Sequence, residues 1–197
     1  MKEFVFQIFN PLLLLVILSG AILFSCCGYH FNDNSGLAAK YTSISVPYVE
    51  GDLDGSLTAA IIHEFVRSGS FEYRRTGGAL VLKVSIIDDR NDNIGFRYDR
   101  KKDGERRRSI IPTETRRISF VEIKVEDTSS SAIVLGPVQI SANVAFDHDY
   151  EYARDEVNVF SLGQLSDFNQ AVDAAQAPLN QVLARKIVDY VTYSWVQ

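Results

Sequence analysis

Val138-Gln139-Ile140-Ser141-Ala142-Asn143-Val144-Ala145-Phe146-Asp147 alternates for ten residues, with Val138, Ile140, Ala142, Val144 and Phe146 on one parity and Gln139, Ser141, Asn143 and Asp147 on the other. A period of two places successive side chains on opposite faces of a strand, so this stretch reads as a half-buried strand with one wet face. Leu80, Leu82, Val84 and Ile86 repeat the pattern upstream. Two strands of this kind need one apolar layer to cover them.

Working outward, that layer comes from helical stripes. Ser56 reads as an N-cap, Leu57, Ala60, Ile61 and Phe65 follow at helical spacing, and Gly69 stands where a C′ glycine stops a helix. Toward the C-terminus Leu179, Val182, Leu183, Ile187, Tyr190 and Val191 form a second stripe, with Pro178 at a first turn or a kink. Thr42 to Val49 is β-branched and aromatic with Pro47 inside it, an edge strand or one ending at the proline. Arg117 to Thr128 is a further strand, where Phe120 falls out of phase with Val121, Ile123 and Val125 and points to a bulge. The expected order is β-α-β-β-β-α. It predicts an α+β fold with two helices packed on one face of a small, mainly antiparallel four-stranded sheet.

The chain has 197 residues, 46% of them hydrophobic, which suits one domain with a real core. Its formal net charge of -5 argues against nucleic acid as a partner. The only cysteines, Cys26 and Cys27, are adjacent, so no disulfide framework is expected, nor a metal site of separated ligands. They end an apolar leader that runs from Leu12 to Leu18 without a break and then passes through Ser19, Gly20 and Ala21 to Leu23-Phe24-Ser25-Cys26. That is the order of an export signal followed by a processing site, and the last four residues resemble a lipobox. The expected organisation is a lipoprotein signal peptide over 1–25, a lipid anchor and polar tether over 26–40 with acyl chains such as palmitate on Cys26 or Cys27, and one α/β domain over 41–197.

His30, His63 and His148 lie far apart in sequence and read as surface or loop residues without a metal. Nucleophile elbow, phosphate loop, dinucleotide fingerprint and zinc-helix motifs are all missing from the sequence, so binding is expected rather than catalysis, with no cofactor. The strongest compositional feature is Arg90 to Arg117, which carries ten basic and five acidic residues, +5 locally against -10 for the rest. Within it Arg97, Arg100, Lys101, Lys102, Arg106, Arg107 and Arg108, beside Phe96 and Tyr98, are the candidates for contact with phosphate or carboxylate groups of an anionic lipid. As a long, charge-rich connection between strands, the segment reads first as a solvated hairpin tip.

Cys27-Gly28-Tyr29-His30-Phe31 after the leader resembles the opening of mature LptE-family lipoproteins, and Ile44-Ser45-Val46-Pro47 followed by a helix, strands and a C-terminal helix is similar to that family's order of elements. The resemblance implies a two-helix, four-strand sandwich on the periplasmic side of the outer membrane. It implies a role with the β-barrel LptD in assembling lipopolysaccharide at the cell surface. It also places the family's cysteine at Cys27, whereas the small Ser25 favours Cys26 as the lipobox cysteine. An auxiliary lipoprotein of a lipid-transport or secretion system, or an exported enzyme without a recognisable motif, are the competing readings.

Overall fold

Chain direction is set at β1 (Ser43–Ser45), which follows a short helix, α1 (Leu37–Lys40). After β1 the chain crosses through α2 (Ser56–Ser68) and returns as β2 (Glu72–Tyr73), then as the long β3 (Leu80–Arg100). Three further elements follow: β4 (Arg106–Asp127), β5 (Ile133–Asp147) and α3 (Phe168–Tyr193). The computed structural model describes residues 36–100, 105–148 and 168–194, and of 99–100 and 106–109 the backbone alone.

The sheet order is β2-β1-β3-β4-β5. β1 pairs in parallel with β2 and with β3, while β3–β4 and β4–β5 are antiparallel. This corrects the expected four-stranded, mainly antiparallel sheet under two helices: five strands form a mixed sheet, with three helices among the described residues. The physical reason is the α2 crossover, because a strand that returns through a helix lies parallel to the one before it. β2 escapes a sequence reading because two residues carry no alternation, yet it covers the outer edge of β1, so β1 is not the edge strand. The strand ends at Ser45, before Pro47, and the chain pairs with β3 again at the bridge between Glu50 and Ser85.

Inside, the predicted parities meet. Leu80, Leu82, Val121, Ile123, Val125 and Ala142 are essentially sealed from solvent beneath Leu57, Ile61 and Phe65 of α2 and Leu179, Leu183, Ile187 and Val191 of α3. Each such aliphatic or aromatic side chain contributes roughly 1.5–3 kcal/mol by leaving water. α2 stops at Gly69 in the left-handed region, its N–H bonded to the carbonyl of Phe65, as the sequence indicates. Its start differs from expectation. Gly55 is the N-cap, and the orphan N–H groups go to carboxylates upstream: Asp52 accepts from Thr58 N–H (2.7 Å) and Asp54 from Ser56 N–H (3.0 Å). α3 begins eleven residues before Leu179, which leaves Pro178 in the helix interior, and the small Ala171 and Ala175 bury its first turns.

A bulge lies where Phe120 breaks phase, but on the partner strand. Ile86 pairs with Val121 and Asp88 with Phe120, so Ile87 is the extra residue. The expected tether over 26–40 includes α1, whose Leu37 is fully buried.

Candidate functional site

The segment from Arg90 to Arg117 was expected as a loop between strands, and its described residues up to Arg100 and from Arg106 are instead ladder. β3 and β4 stay paired from Leu80↔Asp127 out to Arg100↔Arg106. β5 accompanies β4 only as far as Glu114↔Asp147, so beyond that rung β3 and β4 continue as a two-stranded arm. At roughly 3.3 Å per residue, the stretch from Gly95 to Arg100 extends the sheet by about 20 Å.

Near the body the basic residues are consumed by neighbours. Arg90 lies between Asp88 and Asp92, 3.6 Å from each, with its guanidinium over the ring of Phe120. Arg117 meets Asp89 at 2.8 Å and donates to the carbonyl of Val172 on α3 at 3.2 Å. Arg97, opposite Ile111, is half-buried. Arg100 stands directly across from Arg106, and Arg107 and Arg108 follow on β4. Lys101, Lys102, Cys26, Cys27 and His30 lie outside the described residues. The arm therefore brings Arg100 and the Arg106–Arg108 run to one end and separates them from Arg90 and Arg117.

The register adds a feature that the linear sequence conceals. Phe96 pairs with Pro112 and Tyr98 with Ile110, so all four share one face of the arm. Phe96, Tyr98 and Ile110 are 58%, 56% and 60% exposed. Phe96 and Tyr98 are visible as aromatic residues in the sequence, but their aliphatic partners appear only once β4 is known to start at Arg106.

At the root of the arm is a buried polar group that sequence reasoning missed. The Thr115 hydroxyl donates to Asn93 Oδ1 (2.8 Å) and lies 2.8 Å from His148 Nε2, with Thr115 and His148 both buried. The His148 ring meets Phe168 edge-on, 5.0 Å between centroids. His148 is thus a core residue, which corrects its expected surface position, while His63 is exposed on the flank of α2.

At the opposite end of the body, Tyr41 links α1 to the end of β4. The Tyr41 hydroxyl donates to Asp127 Oδ2 at 3.0 Å, and Ser129 donates to Oδ1 through its N–H and its hydroxyl, both 2.7 Å. These bonds, those from Ser129 foremost, lower the Asp127 carboxyl to about 2. Glu64, at the α2–α3 contact, is also lowered, chiefly by the hydrogen bond from Arg67, with Arg185 adding to the field. Among the described residues no group of three metal-ligating side chains is assembled, and no helix is long and apolar enough to cross a membrane.

No family model matches the chain, and no curated protein matches it. Among solved structures it is similar to a minor lipoprotein from Acinetobacter baumannii, at 12% identity over 77% of this chain and 91% of that one, with a TM-score of 0.47. It is similar to the rare lipoprotein B from Shewanella oneidensis, at 13% identity over 76% and 90%, with a TM-score of 0.41. A third is the PelC dodecamer from Paraburkholderia phytofirmans, at 11% identity over 78% and 90%, with a TM-score of 0.39. Several of the solved structures that this chain resembles are thus bacterial lipoproteins by description.

Proposed function

We propose that this chain is a lipoprotein of the LptE type, held by acyl chains on Cys26 or Cys27 at the periplasmic side of the outer membrane. There it partners an LptD-like β-barrel in assembling lipopolysaccharide. The observation that carries the reading is Cys27-Gly28-Tyr29-His30-Phe31 placed directly after an apolar leader. A five-stranded sheet whose two longest strands project beyond their neighbours, with Phe96, Tyr98 and Ile110 exposed on one face, suits contact with a partner's surface.

Affinity purification of the tagged full chain from membranes in mild detergent tests the partnership. A large β-barrel should co-purify in fixed ratio. Recovery with inner-membrane transporter subunits or secretion components, and no barrel, would replace this reading with that of an auxiliary lipoprotein. Fatty-acid labelling of Cys26→Ala, Cys27→Ala and the double variant assigns the anchor. Label should vanish from the double variant and from one single variant, and label that survives in the double variant removes the anchor altogether.

A further inference from the structure

We infer that the free edge of β5 is a seam between two copies of this chain, paired antiparallel about Ala142 so that two sheets join into one. The inference depends on neither the acyl anchor nor the barrel proposed above.

A sheet has two edges, and an exposed row of unpaired N–H and C=O groups is a template for another strand unless it is blunted. On the β1 side the chain blunts it. β2, at the outer edge, has two residues, and its Glu72 is ion-paired to Arg74. Where β3 runs past the bridge at Ser85 it bulges at Ile87 and then carries Asp88, Asp89, Arg90 and Asp92, all exposed. β5 forms the other edge and, among the described residues, pairs with β4 alone. It has 15 residues, and no charged residue stands between Asp127 and Asp147. The ladder to β4 skips Gly136 and Pro137, so the regular stretch runs from Val138 to Asp147.

Two hydrogen bonds fix the direction of the backbone groups. The His148 N–H donates to the Thr113 carbonyl of β4 at 3.1 Å, so residues of its parity face β4. Gln139, Ser141, Asn143 and Ala145 therefore turn their N–H and C=O groups outward. In keeping with this, the Ser141 carbonyl accepts from Lys186 Nζ on α3 at 2.8 Å. An exposed lysine is a movable cap, and the carbonyl keeps a second lone pair.

Self-complementarity selects the occupant. Outward-facing residues must meet outward-facing residues, and the apolar parity must lie on one face in both copies. Pairing about Ala142 meets both conditions over Val138 to Phe146. It sets Ser141 opposite Asn143 and Gln139 opposite Ala145 on the wet face. On the helix face it sets Ile140 opposite Val144 and Val138 opposite Phe146. These four apolar residues are only partly buried within one copy, so the flank that α3 leaves open is covered by the other, through β-branched and aromatic pairs. Val182, one turn from Lys186 on α3 and 39% exposed, extends that flank. Pairing about Ser141 would set Phe146 against Gly136, outside the ladder, and pairing about Asn143 would set Val138 against the buried His148. An edge without charge offers a charged partner nothing to select, whereas its own copy matches it rung by rung.

Sedimentation equilibrium of the full chain in density-matched mild detergent tests the seam. The parent should pass from one to two copies per particle between about 1 and 100 μM. Ser141→Lys/Asn143→Lys and Ser141→Glu/Asn143→Glu place like charges opposite each other, and each variant alone should associate at least about tenfold more weakly. Mixed in equal amounts, the two should associate again, because every lysine then faces a glutamate. Both positions lie on the wet face, so the variants should melt as the parent does. A parent that stays single throughout overturns the inference, and so does association that survives in both variants. Register is read with Ser141→Cys mixed with Asn143→Cys. A disulfide between the two positions, located by peptide mass, should form at least about fivefold faster in the mixture than either variant links to itself. Equal rates overturn the pairing about Ala142. Should either charged variant unfold early, the cysteine pair decides alone.

Discussion

Asp127 ends β4 with three hydrogen bonds directed at one carboxylate, from Tyr41 and from the N–H and hydroxyl of Ser129. Because its folded value, about 2, lies below the ordinary aspartate value of roughly 3.9, its contribution to stability is complete above that ordinary value. It is lost as pH falls through the folded one. Asp127→Asn should therefore lower the urea midpoint at neutral pH, and the gap to the parent should close between about pH 4 and pH 2. A gap that stays constant across that window would mean the charge is not what matters. Thr115→Val tests the buried group at the root of the arm. Leaving the buried His148 nitrogen without that hydroxyl should cost about 1–3 kcal/mol in urea unfolding. The alternation of β5 predicts Ala142 inside and Asn143 outside, and both are so. It is silent about His148, which is buried by Phe168 from a helix twenty residues away and by a strand thirty-three residues back. Local periodicity does not contain such contacts.

Among the elements, those that bury a continuous apolar row were legible: α2, the C-terminal half of α3, and the inner parities of β3, β4 and β5. Within the stripe assigned to α3, Ile187 is sealed from water whereas Val182 is 39% exposed. Ile187→Ala should cost about 2–5 kcal/mol, and Val182→Ala should stay within roughly 0.5 kcal/mol, both by chemical denaturation. Similar losses at the two positions would mean that α3 is rotated on the sheet. The outer halves of β3 and β4 were not legible. Asn91, Asn93, Gly95 and the charges around them carry no apolar alternation, so the stretch has the composition of a loop. What keeps it a strand is backbone pairing with a partner as distant as Arg117 is from Asn91, 26 residues, and register shifts at Ile94, at Thr113 and between Tyr98 and Arg100 interrupt that pairing. β2 is too short for any pattern, and with it went the parallel half of the sheet.

For the molecule as a whole, α1 decides where the body begins. Leu37 is fully buried and belongs to the same core as the residues of α3. A chain cut to begin at Tyr41 should thus be less stable than one beginning at residue 35, by at least about 2 kcal/mol in urea unfolding. Equal stability would show that α1 only rests on the surface. Both should unfold in reducing buffer as in oxidising buffer, because every cysteine precedes residue 35. The contact that fixes α1 has a further consequence. A Cβ on Gly36 would stand 2.8 Å from the carbonyl oxygen of Ser194, so the first and last described residues are neighbours. The fold is in effect a ring whose break lies between Gly36 and Ser194. A few added residues would close that break, and the ring could be reopened between Arg100 and Arg106, leaving every rung of the sheet in place. A protein joined at Ser194 would be carried beside α1, and one inserted at the new opening would be carried where β3 ends and β4 begins.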